Sequence, residues 1–333
     1  MTVAAPPRGC HSRIVGTGSY LPTRVLSNAE LEKLVDTNHE WIVTRTGISE
    51  RRIAADGEAT SDLALLASER ALRMAGIKAR DLDLVIVATL TPDMLIPSTA
   101  AILQNALGAK RAGAMDLEAA CSGFVYGVAV ADAFIRSGGI RTALVVGAEV
   151  LSRWINWEDR TTCVIFGDGA GAAVLTADER PGILSCHLGA DGSKGHLLCI
   201  PGGGSRLPVT AEVLEQRRNF IAMVGNETFK IAVKAMTDAI EMALTTNGLG
   251  SGDVDLLVPH QANIRIIEAT SAKSGIPMER VMVNIDRYGN TSSATIPIAL
   301  DEANREGRIK DGSLVLLDAF GAGFTWGSVL MRW

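Results

Sequence analysis

No uninterrupted apolar run in this chain approaches the roughly 18 residues of a membrane-spanning helix, so a helical membrane protein is not expected. Positive charge is in deficit as well. The 32 Lys and Arg against 37 Asp and Glu leave a formal charge of −5, which offers no broad attraction for nucleic acid or an anionic membrane surface. The opening MTVAAPPRGCHSRIVGTG has neither the charged start nor the apolar stretch of a secretory signal. Five cysteines, an odd number in 333 residues, do not read as a disulfide framework. Aromatic residues supply only 5%. The expectation is a cytoplasmic protein with neither nucleic acid nor membrane as partner.

What the chain does have is glycine, 34 residues, in a composition 47% hydrophobic and 21% charged. That is ordinary for a globule able to bury a large core. Strands and helices alternate. Ser27 and Glu30 stand at capping-box spacing. Residues 60–75 read as a helix, and DLDLVIVAT (81–89) as a buried strand. RTALVVGAE (141–149) and GSLVLLDAF (312–320) are two more, rich enough in Leu and Val for a sheet covered on both faces.

The pattern repeats. ALRMAGIKARDLDLVIVA from Ala71 aligns without gaps on ALTTNGLGSGDVDLLVPH from Ala243, an offset of 172 residues with six of 18 positions identical. The repeat predicts two related α/β halves, residues 1–178 and 179–333, joined across a glycine- and proline-marked stretch (178–210) in which GILSCHLGAD can still form a strand. The same offset carries Cys121 onto Ser293, and His260 falls where the first copy has Ala88. In duplicated halves the matching strand ends approach one axis. Ligands commonly bind at such carboxyl ends, which makes Cys121, His260 and the Asn290 loop candidate neighbours.

Cys121 stands before a segment that is apolar almost all round until Gly138-Gly139, as befits a helix through the interior. A thiol at the start of such a helix feels free N–H groups and the positive end of the dipole, which favour thiolate. The residues alone leave it open between core cysteine and nucleophile. His260 follows an apolar strand and Pro259, at the mouth of a loop; Asn290 lies in DRYGNTSSAT, which also reads as a plain turn. A cysteine can hold an acyl group as a thioester, while His and Asn polarise a carbonyl and backbone N–H groups stabilise an oxyanion. DAFGAGFTWGS (318–328), with Gly321 and Gly323, could supply such an N–H. The pairs Cys186-His187 and His196/Cys199 lack a structural-zinc signature, so no metal is expected. GTGSYLP and FGDGAGAAVL read as turns, since neither completes a nucleotide motif.

Taken together, AACSGF, PHQANIR, YGNTSSAT and FGAGFTWGS, with IVGTGSYLP, EWIVTRTGI and IFGDGAGAAVL, span nearly the whole chain. In that order they resemble β-ketoacyl-[acyl carrier protein] synthase III, a condensing enzyme of the thiolase-like superfamily. The resemblance implies a five-layer αβαβα fold of two pseudo-repeated halves, a homodimer, and a catalytic set of Cys121, His260 and Asn290. It implies that Cys121 takes an acyl group from acyl-CoA, a substrate rather than a cofactor, with N–H groups of Cys121 and Gly323 as the oxyanion hole. His260 and Asn290 then serve decarboxylation of malonyl-acyl carrier protein. Trp41 and Arg160 would bracket the adenine, with Arg45 near the phosphates, Asn226 on the pantetheine and Phe229 along the tunnel. Lys230, Arg265 and Lys273 would face the acidic carrier protein, and Ile96 would help close the acyl pocket from across a dimer interface.

Related chemistries fit less well. Degradative thiolases carry a cysteine in the C-terminal glycine loop, and GAGFTWGS has none. Elongating synthases use a second histidine where Asn290 stands, whereas type III polyketide synthases share the Cys-His-Asn set. Two alternatives remain: a specialised condensing enzyme or acyltransferase with another acceptor, and an inactive thiolase-like interaction protein.

Overall fold

The computed structural model describes residues 10–333; the reading of the first nine residues as no export signal lies outside them. One five-stranded sheet runs in the order His11–Tyr20, Gly169–Asp178, Thr142–Glu149, Leu84–Ala88, Gly113–Leu117. The last three strands are parallel and the first two join antiparallel. The second sheet, of four strands, runs Leu256–Pro259, Leu314–Gly321, Thr325–Arg332, Ile183–Ala190, with its first pair parallel and the rest antiparallel.

Side-chain alternation along each strand sorts residues between two faces. In the first sheet Ile86, Val145 and Leu175 point to the middle of the molecule, where the helices Gly123–Arg136 and Thr295–Arg305 lie. Val85, Val87, Leu144 and Val146 point outward to the helices Thr60–Ala75 and Thr99–Ala106. The second sheet does the same: Val258, Val315 and Leu317 face the middle, while Leu257, Leu316 and Leu330 meet the helices Gly225–Thr246 and Ile264–Ser274. The result is the five-layer αβαβα arrangement, with runs such as LVIVA buried throughout because both faces are covered.

The offset of 172 reappears in three dimensions. It carries Thr142–Glu149 onto Leu314–Gly321, the start of His11–Tyr20 onto the start of Ile183–Ala190, and the start of Gly123–Arg136 onto that of Thr295–Arg305. It also carries the one-turn helix Ala120–Ser122 onto Ser292–Ala294, and Ala120 at φ +45° onto Ser292 at φ +51°. Each central helix is therefore entered through the same left-handed residue. The Cys121 helix departs from its expected all-round burial at the end: Phe134 is 43% exposed where the last turn emerges.

The two halves meet at close quarters beside the site. A Cβ on Gly147, in the strand Thr142–Glu149, would overlap the Ser293 carbonyl oxygen and lie 2.7 Å from its carbon. Backbone cannot move aside as a flexible side chain can. G147A should cost about 1–3 kcal/mol, as overpacking does, read as a lower melting temperature beside wild type.

Candidate active site

Cys121, His260 and Asn290 arrive from three loops and open on one cavity of about 730 Å³. Cys121 lies in the one-turn helix Ala120–Ser122 directly ahead of Gly123–Arg136. Its sulfur sits at the helix N-terminus as the sequence suggests. Burial nevertheless acts against thiolate and pushes the thiol up to about 12, opposed by the Ser292 hydroxyl and the residue's own N–H. Desolvation of a buried sulfur disfavours its charge, and so works against the helix N-terminus that favours thiolate.

His260 leaves the parallel strand Leu256–Pro259, its N–H donating to the Asp318 carbonyl at 2.8 Å. The next residues hold the turn. Gln261 donates to Pro259 and Met282 carbonyls and accepts from Asn284 N–H. Asn263 caps the helix Ile264–Ser274 by accepting from Arg265 N–H, while its amide donates to the Arg45 carbonyl. His260 is 2% exposed and burial alone lowers it to about 3, so its imidazole is neutral. Its Nδ1 lies 2.7 Å from Thr295 Oγ1. Thr295 Oγ1 also lies 2.9 Å from the Ser292 carbonyl; with its one hydroxyl hydrogen turned to Nδ1 instead, Nε2–H is the donor left to the cavity.

Asn290 is clamped by its backbone between Ile165 and Gly167, donating to the first at 2.9 Å and accepting from the second at 3.0 Å. Its Oδ1 accepts from Ser292 N–H at 2.8 Å. With the oxygen engaged, the amide NH₂ is the group left to donate to a substrate carbonyl. Gly321 closes the floor: a Cβ there would stand 2.7 Å from Cys121 N and 3.0 Å from Ser122 N.

Around the mouth are exposed Arg45, Arg160, Lys230 and Arg265, with Trp41, Asn226 and Phe229 also on the cavity wall. The guanidinium of Arg160 stands 5.3 Å from the Trp41 ring centre, and Arg45 5.8 Å from it. Arg265 stands 5.6 Å from the Phe229 ring. A cationic rim over a neutral, apolar-walled shaft suits a long ligand with anionic groups at its outer end.

Three expected residues do not line this cavity. Gly323 lies beyond the turn, at φ +135°, and Gly321 takes the place against Cys121. Lys273 sits in the last turn of the helix that Arg265 begins, about 12 Å along its axis. Ile96 is 85% exposed in a loop with Met94 and Leu95, outside the cavity of the single chain. Conversely, the residue reading passed over Ser292, Thr295 and Glu149, which support the site from behind. The signal for the first two was the repeat, which sets them opposite Ala120 and Gly123. Among the described residues no group of three or more His, Cys, Asp or Glu could hold a metal, and no helix is long and apolar enough to cross a membrane.

Comparison with known proteins converges on one family. Residues 115–192 match the profile of 3-oxoacyl-[acyl-carrier-protein] synthase III, and residues 244–333 that of its C-terminal part. The β-ketoacyl-[acyl-carrier-protein] synthase III of Xanthomonas oryzae is 56% identical over 97% of this chain and 98% of its own length. The crystal structure of 3-oxoacyl-[acyl-carrier-protein] synthase III from Aquifex aeolicus superposes with a TM-score of 0.91 at 49% identity, covering 97% of this chain and 100% of that one. The priming β-ketosynthase of the R1128 polyketide pathway gives 0.91 at 37% identity over 98% of both chains.

Proposed function

The chain belongs to the β-ketoacyl-[acyl-carrier-protein] synthase III family, and from that premise we propose which of its residues carry the reaction. It is a thiolase-like condensing acyltransferase of fatty acid biosynthesis. The observation that supports the assignment best is the meeting of Cys121, His260 and Asn290 in one cavity beneath a cationic rim.

Cys121 attacks the carbonyl of an acyl-CoA. The oxyanion is held by the Cys121 N–H and by the turn that begins at Gly321, and CoA leaves. Malonyl-acyl carrier protein follows down the same shaft. His260 Nε2–H and the Asn290 amide polarise its thioester carbonyl, so that loss of carbon dioxide gives an enolate rather than a free carbanion. The enolate carbon attacks acyl-Cys121, releasing β-ketoacyl-acyl carrier protein and the thiolate. Decarboxylation generates the nucleophile without a strong base, and no step requires a cofactor.

At the rim, Trp41 and Arg160 offer the adenine a stacking face and a cation. Arg45 meets the phosphates, Asn226 the pantetheine and Phe229 the tunnel wall. Lys230 and Arg265, with Lys273 further out, face the carrier protein. The exposed apolar run Met94, Leu95, Ile96 supports a homodimer in which Ile96 reaches the partner's acyl pocket. We place the enzyme in the cytoplasm and divide the chain into halves at 178/179, between the strands Gly169–Asp178 and Ile183–Ala190.

Product formation with malonyl-acyl carrier protein and with malonyl-CoA, across acetyl, propionyl and branched primers, tests this. The carrier-protein donor should be preferred. R265A should weaken that reaction about 3- to 10-fold at low ionic strength and less at high salt, because screening already removes the attraction. Acyl capture from CoA should change less. Equal use of both donors with no selective R265A defect would point to a specialised condensing enzyme with another acceptor.

A further inference from the structure

Arg51, in the short strand Glu50–Ile53, is fully buried. Its guanidinium donates to neutral oxygens from three places in the chain. Nη1 donates to the Leu26 carbonyl at 3.1 Å and to Asn28 Oδ1 at 2.9 Å, and Nη2 donates to the Val164 carbonyl at 2.8 Å. Nε finds no partner among the described residues. Burial lowers the group to about 10, which leaves it a cation at neutral pH. A cation buried on neutral acceptors is costly, so its place in the fold asks for a reason.

Val164 opens the segment whose Ile165 and Gly167 clamp the Asn290 backbone, and Phe166 pairs with Asn290 in an isolated bridge. Arg51 lies against both sides of that clamp. A Cβ on Gly167 would stand 3.0 Å from Arg51 Cβ, and one on Gly289, the residue before Asn290, 3.4 Å from it. The neighbouring Arg52 carbonyl accepts from Asp168 N–H at 2.8 Å. On its other side Arg51 holds Asn28, whose amide donates to the Ile48 carbonyl at 2.8 Å, just past the helix His39–Thr46 that carries Trp41 and Arg45. Among the described residues the Asn290 side chain is held at Oδ1 alone. The aim of its NH₂ therefore follows the backbone clamp.

We propose that Arg51 is a positioning residue for decarboxylation: by holding the Val164 carbonyl it fixes the clamp at 165–167 and so aims the Asn290 amide at the malonyl thioester carbonyl. This rests on the reading of Asn290 as a donor to the enolate oxygen. Arg51 is not on the cavity wall and touches no substrate. Arginine suits the task because its planar fork meets acceptors in different segments at fixed angles, and charge-assisted bonds are stronger than neutral ones. Lysine offers one nitrogen on a flexible stem and cannot span the same three oxygens. Cys121 is positioned separately, by the turn Ala120–Ser122 and the backbone at Gly321. Acyl capture therefore does not depend on Arg51.

The test compares carbon dioxide release from malonyl-acyl carrier protein with single-turnover acyl-Cys121 formation, each measured well below the melting temperature of every variant. R51M keeps an apolar stem and removes the donors. Its decarboxylation kcat should fall roughly 10- to 100-fold, the scale of a misplaced catalytic contact, with KM within about twofold and acyl capture within about threefold of wild type. R51K should lie between R51M and wild type. R51M combined with N290A should lose no more than N290A alone, because the aim of an absent amide no longer matters. Decarboxylation by R51M at the wild-type rate would overturn the proposal. So would equal losses in both half-reactions, or a double variant whose loss is the product of the single ones. If R51M does not fold, R51K decides by the same comparisons. N290A decarboxylating at the wild-type rate would instead remove the reading of Asn290 on which this one rests.

Discussion

On incubation with acyl-CoA, wild-type protein should gain the mass of one acyl group on Cys121, and C121A should gain none. The thioester needs a sulfur in this cavity. The other free cysteines, Cys10, Cys163, Cys186 and Cys199, are absent from its wall. Loss of a covalent nucleophile removes a whole pathway rather than one contact, so acyl transfer should drop on the order of 10⁵-fold or more. Stability should hardly change. The substitution deletes one buried sulfur from a residue that otherwise packs as a small hydrophobe, a cost of about 1 kcal/mol. A folded C121A should therefore keep malonyl decarboxylation, for which the proposed donors are His260 and Asn290. An unmodified wild type across acetyl, propionyl and short branched acyl-CoA, with the thiol kept reduced, would defeat the mechanism.

Much of this architecture was legible because duplication writes the same physics twice. Asp-x-Asp before an apolar strand recurs at an offset of 172, and the strands Leu84–Ala88 and Leu256–Pro259 follow it. The helix Thr60–Ala75 and the Ser27–Glu30 capping box could be read from local spacing. GILSCHLGAD, lying in a stretch that reads as linker, forms the edge strand Ile183–Ala190. What escaped depends on three-dimensional detail that residue type does not encode. Gly321 and Gly323 are equivalent as letters, yet one packs on Cys121 N and the other lies past the turn. Lys273 and Arg265 share a helix, and only its first turn faces the cavity. Glu149 ends an apolar strand, and nothing in RTALVVGAE shows that its carboxylate turns toward Ser293 rather than solvent. At Cys121 the helix N-terminus is visible in sequence, whereas the burial that opposes it is not.

The sharpest separation of roles should come from H260A and N290A, assayed for release of carbon dioxide from malonyl-acyl carrier protein. Decarboxylation leaves an electron pair on the carbon next to the thioester carbonyl, and the barrier depends on how far that charge moves onto oxygen. Two donors aimed at that oxygen from a buried floor act where water cannot substitute for them. Removing one should cost roughly 10²- to 10³-fold, the range for a single preorganised donor to a developing oxyanion. His260 should hold this role over the whole working range. Its pKa of about 3 keeps the imidazole neutral, so titration of His260 should add no acid limb to the decarboxylation profile above about pH 5. The double variant should lose less than the product of the two single losses, because both donors serve one oxygen and removing either already degrades the geometry of the other. Acyl capture should survive in both variants, since Cys121, its N–H and the helix behind it remain. A folded H260A or N290A that decarboxylates at the wild-type rate would remove that residue from enolate stabilisation. Loss of acyl capture equal to loss of decarboxylation would mean that His260 or Asn290 supports the cavity as a whole rather than its second half-reaction.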